Sequence, residues 1–195
     1  MEISSLQELY VEQLKDLYDA EHQIIKALPK MIDKAESEEL KDALNEHLEV
    51  TKQQANRIER VFSDLGEKVK AEKCKGMQCV ITEGDDLIGD IDDPNVRDAA
   101  IIAAAQRVEH YEMAGYGSAR TYATQLGEDE AADLLQQTLD EEKEADKKLT
   151  ELASEINQEA AEGAEEEESV DVEPRTTSRT ARGASSHPKT TKRIA

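Results

Sequence analysis

The sequence predicts an all-α chain, a four-helix bundle built from two antiparallel hairpins joined by one long crossover. Apolar residues recur at spacings of three and four in four long segments, which is the signature of helices that bury one stripe. Two of the three connections between these segments are very short, and the other spans residues 67–93. One Phe, five Tyr and no Trp among 195 residues leave aliphatic side chains to fill the core.

The first helix carries Leu6, Leu9, Tyr10, Leu17, Ile24, Leu28, Met31 and Ala35 on one stripe. Ser5 with Glu8 reads as its capping box, and Pro29 is expected to kink it without ending it, because the stripe continues past the proline. The second helix starts after Ser37 with Leu40, Leu44, Leu48, Thr51, Ala55, Ile58, Phe62 and Leu65, and Gly66 closes it. So short a link forces the two helices antiparallel. From Glu67 to Asp93 the periodicity fades around a brief apolar piece at Val80 and Ile81, and this stretch is expected to be an irregular crossover. Asp92 and Asp93 before Pro94 mark a new helix start. Val96, Ala100, Ile101, Ala104, Ala105, Val108, Ala119, Ala123 and Leu126 form the third stripe, which Gly127 ends. The fourth helix begins near Glu128 and carries Ala131, Leu134, Leu135, Thr138, Leu139, Leu149, Leu152 and Ile156. A bundle with a single long crossover between its hairpins has the ferritin-like arrangement.

The expected domain spans residues 1–157, and residues 158–195 read as a disordered tail. Its first part is acidic, and from Pro174 on it holds six Lys or Arg and no acid. Neither part has the apolar residues to bury a core. Over the whole chain 24 Lys and Arg face 45 Asp and Glu, a net charge of −21. That balance disfavours nucleic acid or anionic lipid as a partner of the body, leaving only weak nucleic-acid contact through the basic tail, and it favours cations. No apolar run is long enough for a membrane span, and no signal peptide precedes the first helix, so the expected location is cytoplasmic. Cys74 and Cys79 lack the partners of a four-ligand zinc site and the spacing of a thiol oxidoreductase, and read as ordinary reduced thiols.

The polar residues inside the apolar stripes are few. Advancing 100° per residue puts Glu21 within the first stripe and Glu112 at the centre of the third, with Glu109 at its edge. Glu142 lies within the fourth, followed one turn later by Asp146. In the second helix His47 falls beside Leu44 and Leu48, Thr51 sits at the stripe centre and Gln54 near its margin. All lie near the middle of their helices, so antiparallel packing brings them to one level. Five carboxylates and one imidazole without an inner Lys or Arg would each suffer a desolvation cost of several kcal/mol, on the order of that for any buried unpaired ion. Two divalent or trivalent cations would neutralise them, and carboxylate-rich sites with one or two imidazoles suit iron or manganese. His22 and His110 point to the opposite face. Tyr111 and Tyr116 are expected to flank the site, as electron donors or as core. AEHQIIKAL around Glu21 and VEHYEMAGY around Glu109 repeat a Glu-His step at equivalent depth in the two hairpins.

The segments YDAEHQIIKAL, HLEVTKQQANRIE, DPNVRDAAIIAAAQRVEHYEMAGYG and LLQQTLDEEKEADKKLTELA resemble the YciE/YciF family of ferritin-like bacterial stress proteins, over roughly residues 3–155. The resemblance implies a rubrerythrin-like bundle, a dimer, a two-iron site and a part in stress responses. Di-iron proteins of this type take Glu from the first helix, Glu-x-x-His from the second, and the same pair of contributions from the third and fourth. Glu21 and Glu109 match, and Glu112 resembles the extra carboxylate of rubrerythrin. The histidine motifs depart from the pattern. In the second helix Glu49 faces outward and Lys52 stands where the ligand belongs, which leaves His47. In the fourth, Ala145 follows Glu142 three residues on, and Asp146 would stand in. The expected function is iron oxidation, or removal of oxygen or peroxide, at two irons held by Glu21, His47, Glu109, Glu112, Glu142 and Asp146. The alternatives are a non-catalytic helical assembly or stress protein, metal storage in a cage, and adaptation of an acidic surface to salt.

Overall fold

The computed structural model describes residues 3–170, with side chains through residue 162. It is all-helical, with five helices and, among the described residues, no strand: α1 Leu6–Lys34, α2 Glu38–Asp64, α3 Lys75–Gly89, α4 Pro94–Leu126 and α5 Asp129–Val170. The four long helices stand where the periodicity puts them, and α1 runs unbroken through Pro29. Two boundaries differ from expectation. Residues 67–93 are not irregular throughout, because α3 occupies Lys75–Gly89 within them. The tail does not begin at residue 158, because α5 continues to Val170. The expectation of disorder for residues 171–195 lies outside the described residues.

The signal for α3 was present but masked. Met77, Val80, Ile81, Gly84 and Ile88 follow helical spacing, and the glycine at the centre of that face reads as a gap. A Cβ on Gly84 would lie 2.9 Å from Cβ of Ala104, so the residue lets α3 sit directly on α4. The Cys74 side chain caps α3, accepting from the Met77 N–H at 3.4 Å.

Other ends follow their sequence signals. The hydroxyls of Ser5 and Ser37 accept from the N–H groups of Glu8 and Leu40, and Asp93 accepts from Val96. Glu8 reaches back one residue further than a capping box requires, accepting from the Ser4 N–H at 2.7 Å. Gly127 ends α4 with φ 79°, in the left-handed region that glycine tolerates best.

The helices pack in a ring, α1 on α2, α2 on α5, α5 on α4 and α4 back on α1, while α3 lies against α4 and α1. Two apolar clusters fill it. One gathers the end of α1, the starts of α2 and α4, the later part of α5, and α3, with Leu28, Leu40, Leu44, Met77, Ile101 and Leu149 inside. The other gathers the start of α1, the ends of α2 and α4 and the start of α5, with Tyr10, Leu14, Ile58, Phe62, Tyr116 and Leu135. This distribution makes α1 antiparallel to both α2 and α4. Between the two clusters, the helices carry Glu21, Thr51, Gln54, Glu109, Glu112, Thr138 and Glu142, all buried. The fold thus sandwiches a polar layer between two dry ends.

Candidate metal centre

Four of the six expected ligands come together. One donor atom from each of His47, Glu109, Glu112 and Glu142 lies within 4.8 Å of every other. That spread matches the width across one coordinated cation, about twice a metal–oxygen distance of roughly 2.0–2.6 Å. His47 arrives from α2, Glu109 and Glu112 from adjacent positions on the inner face of α4, and Glu142 from α5.

Glu21 stands beside this group on α1, completely buried. It accepts a short hydrogen bond from the Tyr116 hydroxyl, and its charge acts on both Glu109 and Glu112. Asp146 does not join them. Its Oδ1 accepts from Gln106 Nε2 at 3.0 Å and lies 3.3 Å from Nε2 of the exposed His110. One turn along α5 from Glu142 leads toward α4's outer edge, so Asp146 does not take the place of the missing histidine in this geometry.

The two tyrosines also separate. Tyr116 reaches the layer through Glu21, whereas the Tyr111 hydroxyl lies 3.1 Å from Cys74 Sγ and 3.4 Å from Asp16 Oδ2 on α1. Cys74 is buried and Cys79 exposed, and neither is in a disulfide.

An inner basic residue exists after all. Arg57 on α2, with its side chain 10% exposed, donates to Thr138 Oγ1 at 2.6 Å and to both oxygens of Glu141 at 2.8 and 3.0 Å. Its arginine reach lets a residue at the stripe margin influence the interior. Burial pushes Glu141 up, but the Arg57 hydrogen bonds and those from Gln137 and Gln54 leave it below the usual carboxylate range. Gln54, read from sequence as marginal, is fully buried and donates to Glu142 Oε1 and to Glu141 at 3.2 Å.

The central carboxyls behave differently. Burial raises Glu21, Glu109 and Glu112 well above the carboxylate range, and the surrounding carboxylates add to the effect. Burial lifts Glu142 to about 7, against the lowering influence of its contacts with Glu109 and Gln54. Burial lowers His47 to about 4, so its ring is neutral and able to act as a nitrogen ligand. Five carboxyl oxygens, one each from Glu21, Glu109 and Glu142 and both from Glu112, are buried without a hydrogen-bond partner. His47 Nε2 shares that state, 3.3 Å from Glu109 Oε1. Buried polar atoms are ordinarily satisfied, and six orphans converging on one level define a candidate donor set. Hard oxygen donors with a single imidazole fit iron or manganese.

The sequence reading missed Asp98. It is 2% exposed, seven residues before Ala105 and fourteen before Glu112 on the same face of α4. That heptad spacing was the available signal. Its two oxygens accept from the N–H groups of Glu36 and Ser37 at 2.9 and 2.7 Å, which ties α4 to the α1–α2 link. Arg97 reinforces the joint by donating to the Lys34 carbonyl at 3.0 Å.

Fold and site together define an all-helical protein with a buried carboxylate–imidazole centre. The chain belongs to the family described as a domain of unknown function, DUF892, whose model matches residues 5–162. It is 44% identical over 154 residues to Protein YciF of Escherichia coli K12, covering 78% of this chain and 93% of that protein. The crystal structure of the E. coli stress protein YciF matches with a TM-score of 0.77 and 42% identity, over 80% of this chain and 99% of that one. YcfI of Rhodopseudomonas palustris, described as a candidate structural protein, matches with a TM-score of 0.75 and 44% identity, over 76% and 95%. A Xanthomonas campestris protein at 24% identity and TM-score 0.68 shares the fold. Among the described residues no helix is long and apolar enough to cross a membrane.

Proposed function

We propose that this chain is a ferritin-like stress protein that holds two iron ions, or manganese in their place, in the buried layer. The observation that supports it is the set of five unpartnered carboxyl oxygens around an unpartnered imidazole nitrogen. His47, Glu109, Glu112 and Glu142 would hold one ion, and Glu21 with the free oxygen of Glu112 would extend the set toward a second. Bound there, iron would supply redox chemistry in which ferrous iron is oxidised as oxygen or peroxide is reduced, which suits a stress role.

The chain's own groups prepare the layer. The Tyr116 hydroxyl fixes one oxygen of Glu21 and leaves the other free, and the Gln54 amide does the same for Glu142. Arg57 holds Glu141 aside and biases Glu21 and Glu142 toward the charged form that binds metal. The apolar clusters above and below keep bulk water away, which strengthens any charge interaction within the layer. A second copy of the chain as partner belongs to the same reading.

Full-length protein loaded anaerobically with ferrous iron should bind between one and two equivalents, and Glu112→Ala should lose most of that binding. Less than one equivalent on the unaltered chain overturns the proposal. The hydrogen bonds from Tyr116 and Gln54 favour a second reading, in which protons and amides alone neutralise the carboxyls in a non-catalytic helical protein. Replacing Glu21, Glu112 and Glu142 together by Leu then raises thermal stability with no loss of protection from peroxide in cells.

A further inference from the structure

The centre is flanked on its α2–α5 side by a cleft of about 230 Å³. Ala43, Leu44 and Val50 of α2 and Ala145 and Leu149 of α5 wall it, and His47 and Glu109 form its floor. The charged groups on its walls are already matched: Glu46 pairs with Lys148, Glu141 with Arg57 at 2.8 Å, and Glu144 with Lys147 at 3.6 Å. At the floor the opposite holds, because His47 Nε2 and Glu109 Oε2 are buried without a hydrogen-bond partner. A largely apolar space with its unmatched polar atoms at one end suits a molecule with an apolar body and one small polar head.

Ala145 accounts for part of that room. Bundles that hold two metals between their helices place Glu-x-x-His on two of them, and here Glu142 is followed at that spacing by Ala145. A methyl group stands where an imidazole would project, and it lines the cleft. The resulting volume exceeds the roughly 150 Å³ that admits benzene to an apolar cavity. A second opening, under α3, reaches the same two residues and carries Asp85 in its lining, but its room of about 20 Å³ is that of a single water.

We infer that the oxidant received by this centre is an organic hydroperoxide, with its hydrocarbon body in the α2–α5 cleft and its O–O–H head against His47 and Glu109. This rests on the metal reading above and names the substrate class for it. Hydrogen peroxide has no body for the apolar walls to bury, and dioxygen has no O–H to donate to the floor. The net change balances with ferrous iron as the reductant. Two ferrous ions give one electron each, the O–O bond breaks, and two protons from water complete an alcohol and a water.

Cumyl alcohol keeps the body and the O–H of cumene hydroperoxide without its reactivity, so it probes the cleft in metal-free full-length protein, read by isothermal titration and ligand-observed NMR. It should bind about tenfold more tightly than tert-butanol, whose body is smaller. Ala145→Phe fills the cleft from α5, and Val50→Phe fills it from the facing wall should the first variant fail to fold. Either should weaken cumyl alcohol binding by about tenfold or more, with ferrous binding kept within about twofold of the unaltered chain. In protein loaded anaerobically with ferrous iron, cumene hydroperoxide should reach half its maximal rate of iron oxidation at about a tenth of the concentration that hydrogen peroxide needs, and the filled variants should erase that preference. No binding of cumyl alcohol to the unaltered chain, equal binding after the cleft is filled, or no preference between the two peroxides overturns the organic hydroperoxide and leaves the metal centre standing. Unaltered protein that binds less than one equivalent of ferrous iron overturns the metal reading and this inference with it.

Discussion

Asp98 and Glu112 lie on the same face of the same helix and are equally inaccessible to solvent, yet they end in opposite states. Asp98, at the start of α4, spends both oxygens on backbone N–H groups at the α1–α2 link. Glu112, four turns on, meets only other carboxyls and one imidazole, and neither of its oxygens has a partner. A buried carboxylate that is consumed by fixed donors holds helices together. One that is left unconsumed among its like costs stability until a cation or a proton arrives.

The comparison breaks most severely at its structural end. Asp98→Ala removes two charge-assisted hydrogen bonds of about 1.5–3 kcal/mol each, so urea unfolding should show a loss of about 3–6 kcal/mol. The same measurement on a chain that loses less than about 1 kcal/mol would show that Asp98 is no more structural than Glu112.

Next in size is the response of the metal-free protein to pH. Glu21, Glu109, Glu112 and Glu142 keep their protons to higher pH when folded than when unfolded. Their contribution is therefore full below the ordinary carboxylate range and is lost as pH rises through the folded values, about 7 for Glu142. His47, lowered to about 4, acts in the other direction, contributing above its ordinary value of 6.5 and losing that as pH falls. Four carboxyls outweigh one imidazole, so stability in chelator should fall between pH 5 and pH 8 by about 1.4 kcal/mol per pH unit for each excess proton held by the native state. A stability maximum at pH 8 would contradict the picture of an unconsumed layer.

Glu112→Leu sharpens the contrast more gently. In chelator at pH 8 it should gain about 1–3 kcal/mol and flatten the pH dependence, while losing cation binding. Smallest is Thr51→Val. Thr51 lies in the layer at 0% exposure, but its hydroxyl donates to the His47 carbonyl of its own helix at 2.8 Å. It is already satisfied locally, and the substitution should change unfolding by less than about 1 kcal/mol and cation affinity hardly at all.

The pattern of apolar spacing was enough to place four helices and to turn Glu21, His47, Glu109, Glu112 and Glu142 inward. It fell short wherever a small residue stood in for an apolar one. Gly84 hid α3 because close backbone approach to Ala104 does the work that an apolar side chain does elsewhere. It fell short again where position on the stripe was right but the neighbour was unknown. Asp146 and Tyr111 both meet partners outside the layer, Gln106 on α4 for one, and Cys74 at the start of α3 with Asp16 on α1 for the other. No Lys or Arg stands on the inner stripes at this level, but the long side chain of Arg57 reaches across the margin to Glu141 and Thr138.

The sequence by itself determined which side chains leave each helix toward the interior, because that direction depends only on the 100° step along one helix. It determined the acidity of the interior for the same reason. The tertiary structure decided what those inward groups meet, because the partner depends on how far one helix is slid along another. Sliding fixed Asp98 against the free N–H groups of a chain reversal and set Glu112 opposite Glu142 and His47, and that difference in register is what makes one carboxylate a joint and the other a candidate ligand.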